Sequence, residues 1–225
     1  MGKGSKGEQY CVIGLGRFGS SLAKELMQLG YEVLGIDRSE ELVDDMSALL
    51  THTLCADATD EDALRAIGIR NFDCCIVAIG GDIQSSIMAA ILVKDSGVGK
   101  VVVKAVSELH GRVLDKLGVD RVIYPERDMG IRVAHQLVSP NLLDYIELSS
   151  EYAVAELAVP GCLNGKALSE IDSRQRYGCS IVAINKPKGI IIAPQADSIL
   201  EEKDVMVVIG TNEGIEQFEN AVSRG

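Results

Sequence analysis

The sequence lacks several features that would place it in common functional classes. It contains no run of about 18 apolar residues, the length that a membrane-spanning helix needs. Its three histidines (His52, His110 and His135) do not have the spacing of a zinc site, and its six cysteines form no C-x-x-C pair. The net charge of −11 disfavours nucleic acid and anionic lipid surfaces as partners. We therefore expect no nucleic-acid partner and no direct insertion into a membrane.

The amino terminus has no recognisable targeting signal. Residues 1–7 contain no apolar segment of the kind found in signal peptides, and Lys6 stands where a myristoylation motif has Ser or Thr. We expect a soluble, cytoplasmic protein whose cysteines are small core hydrophobes in a reducing compartment. Cys74 and Cys75 are adjacent in a predicted strand, so their side chains should point to opposite faces of a sheet.

The clearest motif is Gly14-x-Gly16-x-x-Gly19, which follows an apolar run at residues 10–13 and precedes a helical pattern. Strand, glycine turn and helix together form a cradle for the phosphates of a dinucleotide-type ligand. The first glycine permits the tight turn, the second lets phosphates approach the backbone, and the third lets helix and strand pack closely. The alternative is a glycine turn that only packs the helix on the strand.

The position of Asp37 supports the nucleotide interpretation. It ends the next predicted strand, 18 residues after Gly19, about where a ribose-binding carboxylate belongs. A carboxylate at this point accepts hydrogen bonds from ribose hydroxyls and repels a 2′-phosphate. The sequence therefore predicts an adenine-nucleotide cradle.

The order of predicted elements indicates two domains. Six strands alternate with helices up to about residue 137, which predicts an α/β fold with a doubly wound, mostly parallel, Rossmann-like sheet. Ser139-Pro140-Asn141 then breaks the pattern. Strands at 152–159, 180–185, 190–193 and 205–209, with helices at 166–171 and 213–222, predict a small α+β domain. The predicted boundaries are 1–140 and 141–225.

The predicted helix at residues 84–95 is apolar almost all round. A helix that covers one face of a sheet should have a polar side, so this helix needs a second apolar partner. Burial between subunits is the simplest explanation. The alternative is burial within one chain.

Four charged residues near the predicted crevice each allow two interpretations. Arg17 lies within the glycine loop and is either a phosphate ligand or a solvated side chain. Glu126, after strand six, is either a ligand of a divalent cation or an acid favoured by a helix N terminus. Asp57 either binds the nucleoside or caps the following helix, and Lys104 either faces the ligand or snorkels at the surface.

The chemistry expected of an enzyme is missing from the sequence. An oxidoreductase needs an acid or base and a substrate pocket beside the nicotinamide, but the second domain contains no histidine. No Walker lysine motif and no Ser/Lys/Tyr set at helical spacing is present. These absences favour a nucleotide sensor over an enzyme.

Several motifs together resemble one family. They are Gly14-Leu-Gly-Arg-Phe-Gly19, Asp37, Ala56-Asp-Ala-Thr59, Val77-Ala-Ile-Gly80, Val103-Lys-Ala105, Tyr124-Pro-Glu126, Asp128-Met-Gly130, Tyr177-Gly-Cys179 and Val207-Val-Ile-Gly210. The chain resembles, over essentially its whole length, the regulator-of-potassium-conductance (RCK) domain. It resembles more closely the KtrA-type cytosolic subunits of bacterial Ktr potassium transporters, which are related to TrkA.

The resemblance implies a non-enzymatic gating subunit. It implies dimers assembling into an octameric ring, docked on an integral-membrane potassium-translocating subunit of the KtrB or TrkH type at the inner face of the cell membrane. ATP or ADP, with NAD(H) in some relatives, would be the ligand. The implied contacts are Gly14, Gly16, Arg17, Phe18, Gly19, Asp37, Asp57, Ala58, Ile79, Gly80 and Lys104.

The resemblance also assigns finer roles. Arg17 would reach the γ-phosphate across a dimer interface, and Glu126 would bind Mg²⁺ or Ca²⁺ there. Cyclic di-AMP would bind the second domain at a stretch containing Ile171, Asp172 and Arg174. The alternatives are an NAD(H)-binding TrkA-type subunit and an NAD-dependent oxidoreductase.

Overall fold

The computed structural model describes residues 7–139 and 141–223. The chain divides after Glu126 into two compact units, Met1–Glu126 and Arg127–Gly225. Helix α6 (Pro125–Val138) begins just before this division and continues beyond it. The amino-terminal residues 1–6, on which the targeting prediction depends, and Pro140 of the predicted break lie outside the described part. The functional domain boundary at residue 140 stays a prediction.

The amino-terminal unit alternates strands with helices. Its elements are β1 (Gln9–Ile13), α1 (Arg17–Gln28), β2 (Glu32–Asp37), α2 (Glu40–Ser47), β3 (His52–Cys55), α3 (Glu61–Ile67), β4 (Cys74–Val77), α4 (Ile83–Asp95), β5 (Val101–Lys104), α5 (Glu108–Lys116) and β6 (Arg121–Ile123).

The six strands form one parallel sheet in the order β3-β2-β1-β4-β5-β6. Strands β2 and β3 are added on one side of β1, and β4, β5 and β6 on the other, so the strand order reverses between β1 and β4. At this point Cys11 pairs with Cys75 and Ile13 with Val77. This order is that of a doubly wound nucleotide-binding sheet, whose ligands lie at the carboxyl ends of the strands beside the reversal. The predicted fold class is confirmed.

The two faces of this sheet bury separate apolar clusters. Cys75 belongs to the cluster that includes residues of α3, α4 and α5, whereas Cys74 packs in the cluster with residues of α1 and α2. The predicted opposition of these two side chains is therefore confirmed. Cys55 departs from the expected burial, because it lies on β3 at the sheet edge and is exposed.

Helix α3 is capped by Asp60 and not by Asp57, the cap that the sequence offered as an alternative. The Asp60 carboxylate accepts hydrogen bonds from the backbone N–H groups of Asp62 and Ala63. The Asp57 carboxylate instead accepts from the N–H and the hydroxyl of Thr59. Asp57 therefore does not cap α3.

Helix α4 buries four small or apolar positions and leaves two apolar residues exposed. Ser86, Ala89, Ala90 and Val93 are buried. Ile83 and Met88 are 45% and 42% exposed in the single chain. Burial within one chain, the alternative raised from the sequence, therefore does not cover these two side chains.

The carboxyl-terminal unit contains an antiparallel sheet in the order β10-β9-β11-β8-β7. Its elements after α6 are β7 (Leu142–Glu147), β8 (Tyr152–Ala158), α7 (Leu168–Ile171), α8 (Ser173–Tyr177), β9 (Ser180–Lys186), β10 (Gly189–Ile192), β11 (Val205–Thr211) and α9 (Asn212–Ser223).

Helix α9 closes the core of this unit. Its Phe218 is fully buried, and the Phe218 ring lies 5.5 Å from that of Tyr177 on α8. Strands β9 and β10 form an antiparallel hairpin, in which Lys186 pairs with Gly189. Strand β7 and helix α8 were absent from the sequence prediction.

Candidate functional site

A crevice of about 310 Å³ lies at the carboxyl ends of β1, β2 and β4 in the amino-terminal unit. This volume lies at the lower end of the range of small-molecule sites. Its lining comprises Ile13, Gly14, Gly16, Ile36, Asp37, Arg38, Ser39, Leu42, Ala56, Asp57, Ala58, Thr59, Ala78, Ile79, Gly80, Gly81, Asp82 and Ser85. Seven of the predicted ligand residues lie in this lining: Gly14, Gly16, Asp37, Asp57, Ala58, Ile79 and Gly80.

The three glycines of the motif have different geometric roles. Gly14 has a φ of +97°, and a Cβ there would lie 3.0 Å from the carbonyl carbon of Ala78. A Cβ on Gly19 would lie 1.8 Å from the carbonyl oxygen of Gly14. A Cβ on Gly16 would meet open space. Gly14 and Gly19 are therefore required by packing, and Gly16 leaves room for a ligand.

Helix α1 begins with unsatisfied donors beside this open space. Its N-cap is Gly16, and among the described residues no side chain caps the helix. The first turn carries no acidic residue. Free backbone N–H groups and the positive end of the helix dipole form a suitable binding position for phosphate.

The backbone holds the Asp37 carboxylate beside the glycine motif. Its carboxylate accepts hydrogen bonds from the N–H groups of Leu15 (2.7 Å) and Ser39 (2.9 Å). A carboxylate has about four lone-pair positions, so acceptor capacity remains for hydroxyl donors. The fixed orientation fits the predicted ribose role.

The crevice lining carries two further carboxylates, Asp57 and Asp82. The N–H and hydroxyl of Thr59 lower the pKa of Asp57, and the hydroxyl and N–H of Ser85 lower that of Asp82. Among the described lining residues, Arg38 alone carries a positive charge. The lining, with Asp37, Asp57 and Asp82 against Arg38, is therefore net negative and favours hydrogen-bond donors such as sugar hydroxyls.

Sequence reasoning missed several lining residues, among them Arg38, Asp82 and Ser85. A usable signal existed for Asp82, which directly follows Gly80-Gly81 and caps α4 by accepting from the N–H of Gln84. Asp before an apolar helical run is a start signal for a helix. Arg38 follows the ribose acid but has no pattern of its own.

The remaining predicted residues form a charged cluster beside the lining. The Lys104 ammonium is buried, 3.1 Å from where a Cβ on Gly80 would lie, and it donates to Glu126 Oε1 at 2.5 Å. It also lies 5.9 Å from the centre of the Phe18 ring. Lys104 is therefore not a snorkelling surface residue.

Two cationic side chains lower the pKa of Glu126. The hydrogen bond from Lys104 is the main cause of its lowered pKa, and the charge of the exposed Arg17 contributes as well. Lys104, Arg17 and Glu126 thus lie in one electrostatic environment. Within residues 7–139 and 141–223, no group of three or more His, Cys, Asp or Glu residues is arranged to hold a metal ion. A metal at Glu126 would need ligands from elsewhere, so the metal assignment stays a prediction.

The predicted second-ligand stretch joins α7 to α8. Asp172 adopts a left-handed backbone conformation (φ 51°) between the two helices, and Arg174 donates from Nε to the hydroxyl of Ser180. Ile171 is 5% exposed and packs within the core of the unit. A direct ligand contact by Ile171 is therefore not available in the single chain. The site as a whole stays a prediction.

The described helices include none that combines the length and apolar character required to cross a bilayer.

Two family models match the chain: the TrkA-N domain over residues 10–125 and the TrkA-C domain over residues 154–223. The chain is 42% identical over 215 residues to Ktr system potassium uptake protein C of Bacillus subtilis strain 168, covering 96% of this chain and 97% of that protein. It is 43% identical over 215 residues, with the same coverage, to Ktr system potassium uptake protein A of that organism.

Among solved structures, the chain is similar to the GsuK channel bound to NAD, with a TM-score of 0.51 and 26% identity. The similarity covers 97% of this chain but 39% of the channel chain. The same assignment follows from the parallel sheet with its crevice, from the two domain models and from the full-length similarity. The chain belongs to the RCK-domain family of KtrA-type and TrkA-type potassium uptake proteins.

Proposed function

We propose that this protein is a non-enzymatic, nucleotide-sensing gating subunit of a potassium uptake system, in which ATP and ADP favour different conformations of a ring. The observation that carries the proposal is the crevice itself. It brings an oriented carboxylate, Asp37, which accepts from the N–H of Leu15, close to the uncapped start of α1 at Gly16. The similarity to Ktr proteins A and C supports potassium uptake as the process.

The charge distribution supports one orientation of the nucleotide. The adenosine would lie toward Asp37 and Asp57, because these carboxylates accept hydrogen bonds from hydroxyl and amine donors. The phosphates would extend over Gly16 toward Arg17 and Lys104. ATP and ADP differ by one γ-phosphate, so they bias an equilibrium only if two conformations contact that phosphate differently.

Glu126 would link the phosphates to a divalent cation. In the single chain its carboxylate is paired with Lys104. Mg²⁺ or Ca²⁺ bound by Glu126 and by phosphate oxygens would compete with the ammonium for this carboxylate. The Lys104–Glu126 pair would then differ between the nucleotide-free and ATP-bound states.

The assembly is proposed from the exposed apolar residues of α4. Ile83 and Met88 would pack against a second copy, and dimers would build an octameric ring. The ring would dock on an integral-membrane potassium-translocating subunit of the KtrB or TrkH type. The protein would then be cytoplasmic and peripheral to the inner face of the cell membrane.

A second candidate function is NAD(H) sensing by a TrkA-type subunit. It is favoured by the structural similarity to a channel bound to NAD, and by Asp37, which suits any ribose lacking a 2′-phosphate. Cyclic di-AMP is proposed as a further ligand at Asp172 and Arg174. An NAD-dependent oxidoreductase is the least supported alternative, since it would need an acid or base beside the nicotinamide.

A thermal-shift panel of ATP, ADP, NAD, NADH and cyclic di-AMP tests these ligands together. Preferential binding to the folded chain raises the melting temperature. We expect ATP and ADP to raise it most, and Mg²⁺ to increase the ATP effect. A larger rise with NAD or NADH would favour the second candidate, and hydride transfer to any substrate would favour the enzyme. No rise with any dinucleotide or nucleotide would contradict the proposal.

A further inference from the structure

Arg38 is a lining residue of the nucleotide crevice that has no part in the proposed function so far. It directly follows Asp37, the proposed ribose acid, and it lines the same crevice. Among the described lining residues it alone carries a positive charge. The surroundings of its backbone and of its guanidinium indicate what it binds.

The backbone of Arg38 is held on both sides. Its carbonyl oxygen accepts a hydrogen bond from the Cys55 thiol at 3.5 Å. The N–H of the next residue, Ser39, donates to Asp37 at 2.9 Å. Asp37 and Cys55 are also register partners in the pairing of β2 with β3. The arginine side chain therefore starts from a fixed position beside the ribose acid.

The guanidinium of Arg38 is exposed and available to a ligand. Among the residues that the structure describes, none forms an ion pair or a hydrogen bond with it. Hydrogen bonds from neighbouring N–H and hydroxyl groups lower the pKa of Asp57 and of Asp82, and the positive charge of Arg38 lowers both further. These two carboxylates follow β3 and β4 and line the crevice. The arginine side chain is thus directed toward the crevice and not away from it.

The order of the strands places the base of a bound nucleotide beside Arg38. The phosphates are proposed at Gly16, after β1, and the ribose at Asp37, which ends β2. Strand β3 is the next strand on that side of the sheet. A nucleotide that continues in this direction brings its base between the turn after β2, with Arg38, and the turn after β3, with Ala56 and Ala58.

The surface around Arg38 suits a flat aromatic ring. A guanidinium is planar and delocalised, stacks on aromatic faces and is more weakly hydrated than an ammonium group. Leu42, Ala56 and Ala58 contribute apolar surface to the same part of the lining, and Ala58 is buried. A planar cation beside apolar side chains favours an aromatic base over a purely ionic ligand.

A phosphate on the ribose is the other ligand to consider, because an arginine near the ribose acid accommodates the 2′-phosphate of some dinucleotides. Here three carboxylates line the crevice together with Arg38: Asp37, Asp57 and Asp82. Their combined negative charge exceeds the charge of one guanidinium and disfavours an additional phosphate at the ribose. The base is therefore the better partner for Arg38.

We infer that Arg38 is a specificity-determining residue of the crevice, which stacks its guanidinium on the adenine ring and selects nucleotides over sugar phosphates that lack a base. The inference rests on the proposed function, because it requires the phosphates at Gly16 and the ribose on Asp37. The contact depends on the planar shape of the guanidinium and not on its charge alone.

Calorimetric titration of the full-length protein with ATP and with ribose 5-triphosphate tests this contact. Ribose 5-triphosphate has the sugar and the phosphates of ATP but no base. The variant is Arg38→Lys, which keeps the positive charge and loses the planar group. The matched control is Arg112→Lys, because Arg112 is exposed on α5, outside the crevice lining. Circular dichroism establishes that both variants are folded.

We expect Arg38→Lys to bind ATP about fivefold more weakly and ribose 5-triphosphate with unchanged affinity. Arg112→Lys should bind both ligands like the unmodified protein. Unchanged ATP affinity in Arg38→Lys, or an equal loss with the two ligands, would overturn the stacking role and leave the proposed function standing, since ATP still binds the unmodified protein. An unmodified protein that binds no ATP would overturn both, so the two failures are distinguishable.

Discussion

The Lys104 ammonium lies 2.5 Å from Glu126 Oε1, although the lysine side chain is 9% exposed and the glutamate 67% exposed. A buried cation is thus held at the edge of the sheet by a carboxylate that solvent, a metal ion or a phosphate-bound cation can reach. The pair lies against Gly80, one of the lining residues of the crevice. The Lys104–Glu126 ion pair therefore connects the nucleotide crevice to the first turn of α6, which begins at Pro125.

The first prediction concerns the pH dependence of this pair. The Lys104 hydrogen bond lowers the folded-state pKa of Glu126 below its ordinary value of 4.5. The associated stability is therefore complete above pH 4.5 and is lost as the pH falls through the lowered value. Lys104→Met should move the Glu126 pKa back toward its ordinary value. An NMR titration of the glutamate carboxyl carbons measures this change.

Lys94→Met is the matched control, because Lys94 pairs with Asp120 at 3.2 Å, away from Glu126. It should leave the Glu126 titration unchanged. The ion-pair account would be contradicted if the Glu126 carboxyl titrated identically in the unmodified protein and in Lys104→Met.

The second prediction separates two glycines of one motif. Gly19→Ala places a Cβ 1.8 Å from the Gly14 carbonyl oxygen, so it should lower the free energy of unfolding by about 3 kcal/mol. Gly16→Ala meets open space at an ordinary φ of −63°, so the protein should stay folded but bind nucleotide more weakly. Urea denaturation and nucleotide titration measure the two effects. Equal nucleotide affinity in Gly16→Ala and the unmodified protein would place the phosphates elsewhere.

The third prediction concerns the ribose acid. Asp37→Asn keeps the size of the side chain but removes its charge, so ATP, ADP and NAD should all bind about tenfold more weakly. Calorimetric titration measures the three affinities. Asp44→Asn, on the exposed surface of α2, is the control and should bind like the unmodified protein. A loss confined to one of the three ligands would contradict a ribose contact that they share.

The fourth prediction concerns Arg17. Arg17→Ala should weaken ATP binding about tenfold while leaving ADP binding nearly unchanged, because the guanidinium is proposed to contact the γ-phosphate. The control is Arg65→Ala, whose guanidinium pairs with Glu61 and Asp62 on the surface of α3. Equal losses of ATP and ADP affinity in Arg17→Ala would remove the γ-phosphate role.

The fifth prediction concerns assembly through α4. Light scattering should show a dimer or a larger particle, and Met88→Glu should shift the population toward smaller species, since it places a charge in an apolar interface. Leu29→Glu is the control, because Leu29 is 59% exposed at the end of α1. A monomer at all concentrations would refute the assembly proposal.

Much of the amino-terminal unit follows from local sequence patterns. Apolar runs bounded by glycines predict parallel strands that are buried on both faces, and Gly14 and Gly19 have packing roles that their spacing anticipates. Asp37 was predictable because a ribose acid follows the glycine turn at a nearly fixed interval. The carboxyl ends of adjacent parallel strands then bring these residues together without any long-range information.

Other features depend on contacts that local patterns do not encode. Strand β7 follows a predicted break directly and has no clean alternation of apolar and polar residues, so its pairing with β8 was not foreseen. The Lys104–Glu126 pair joins residues 22 positions apart through the pairing of β5 with β6. The burial of Ile171 could not be predicted from local sequence either, since it depends on packing in the core of the second unit.

A crystal structure of the full-length protein with ATP and Mg²⁺ tests the central claim most directly. The account predicts one nucleotide in each chain, with the ribose on Asp37, the phosphates over Gly16 and the γ-phosphate near Arg17. An empty crevice in crystals grown with saturating ATP, or ATP bound only at another surface, would contradict it.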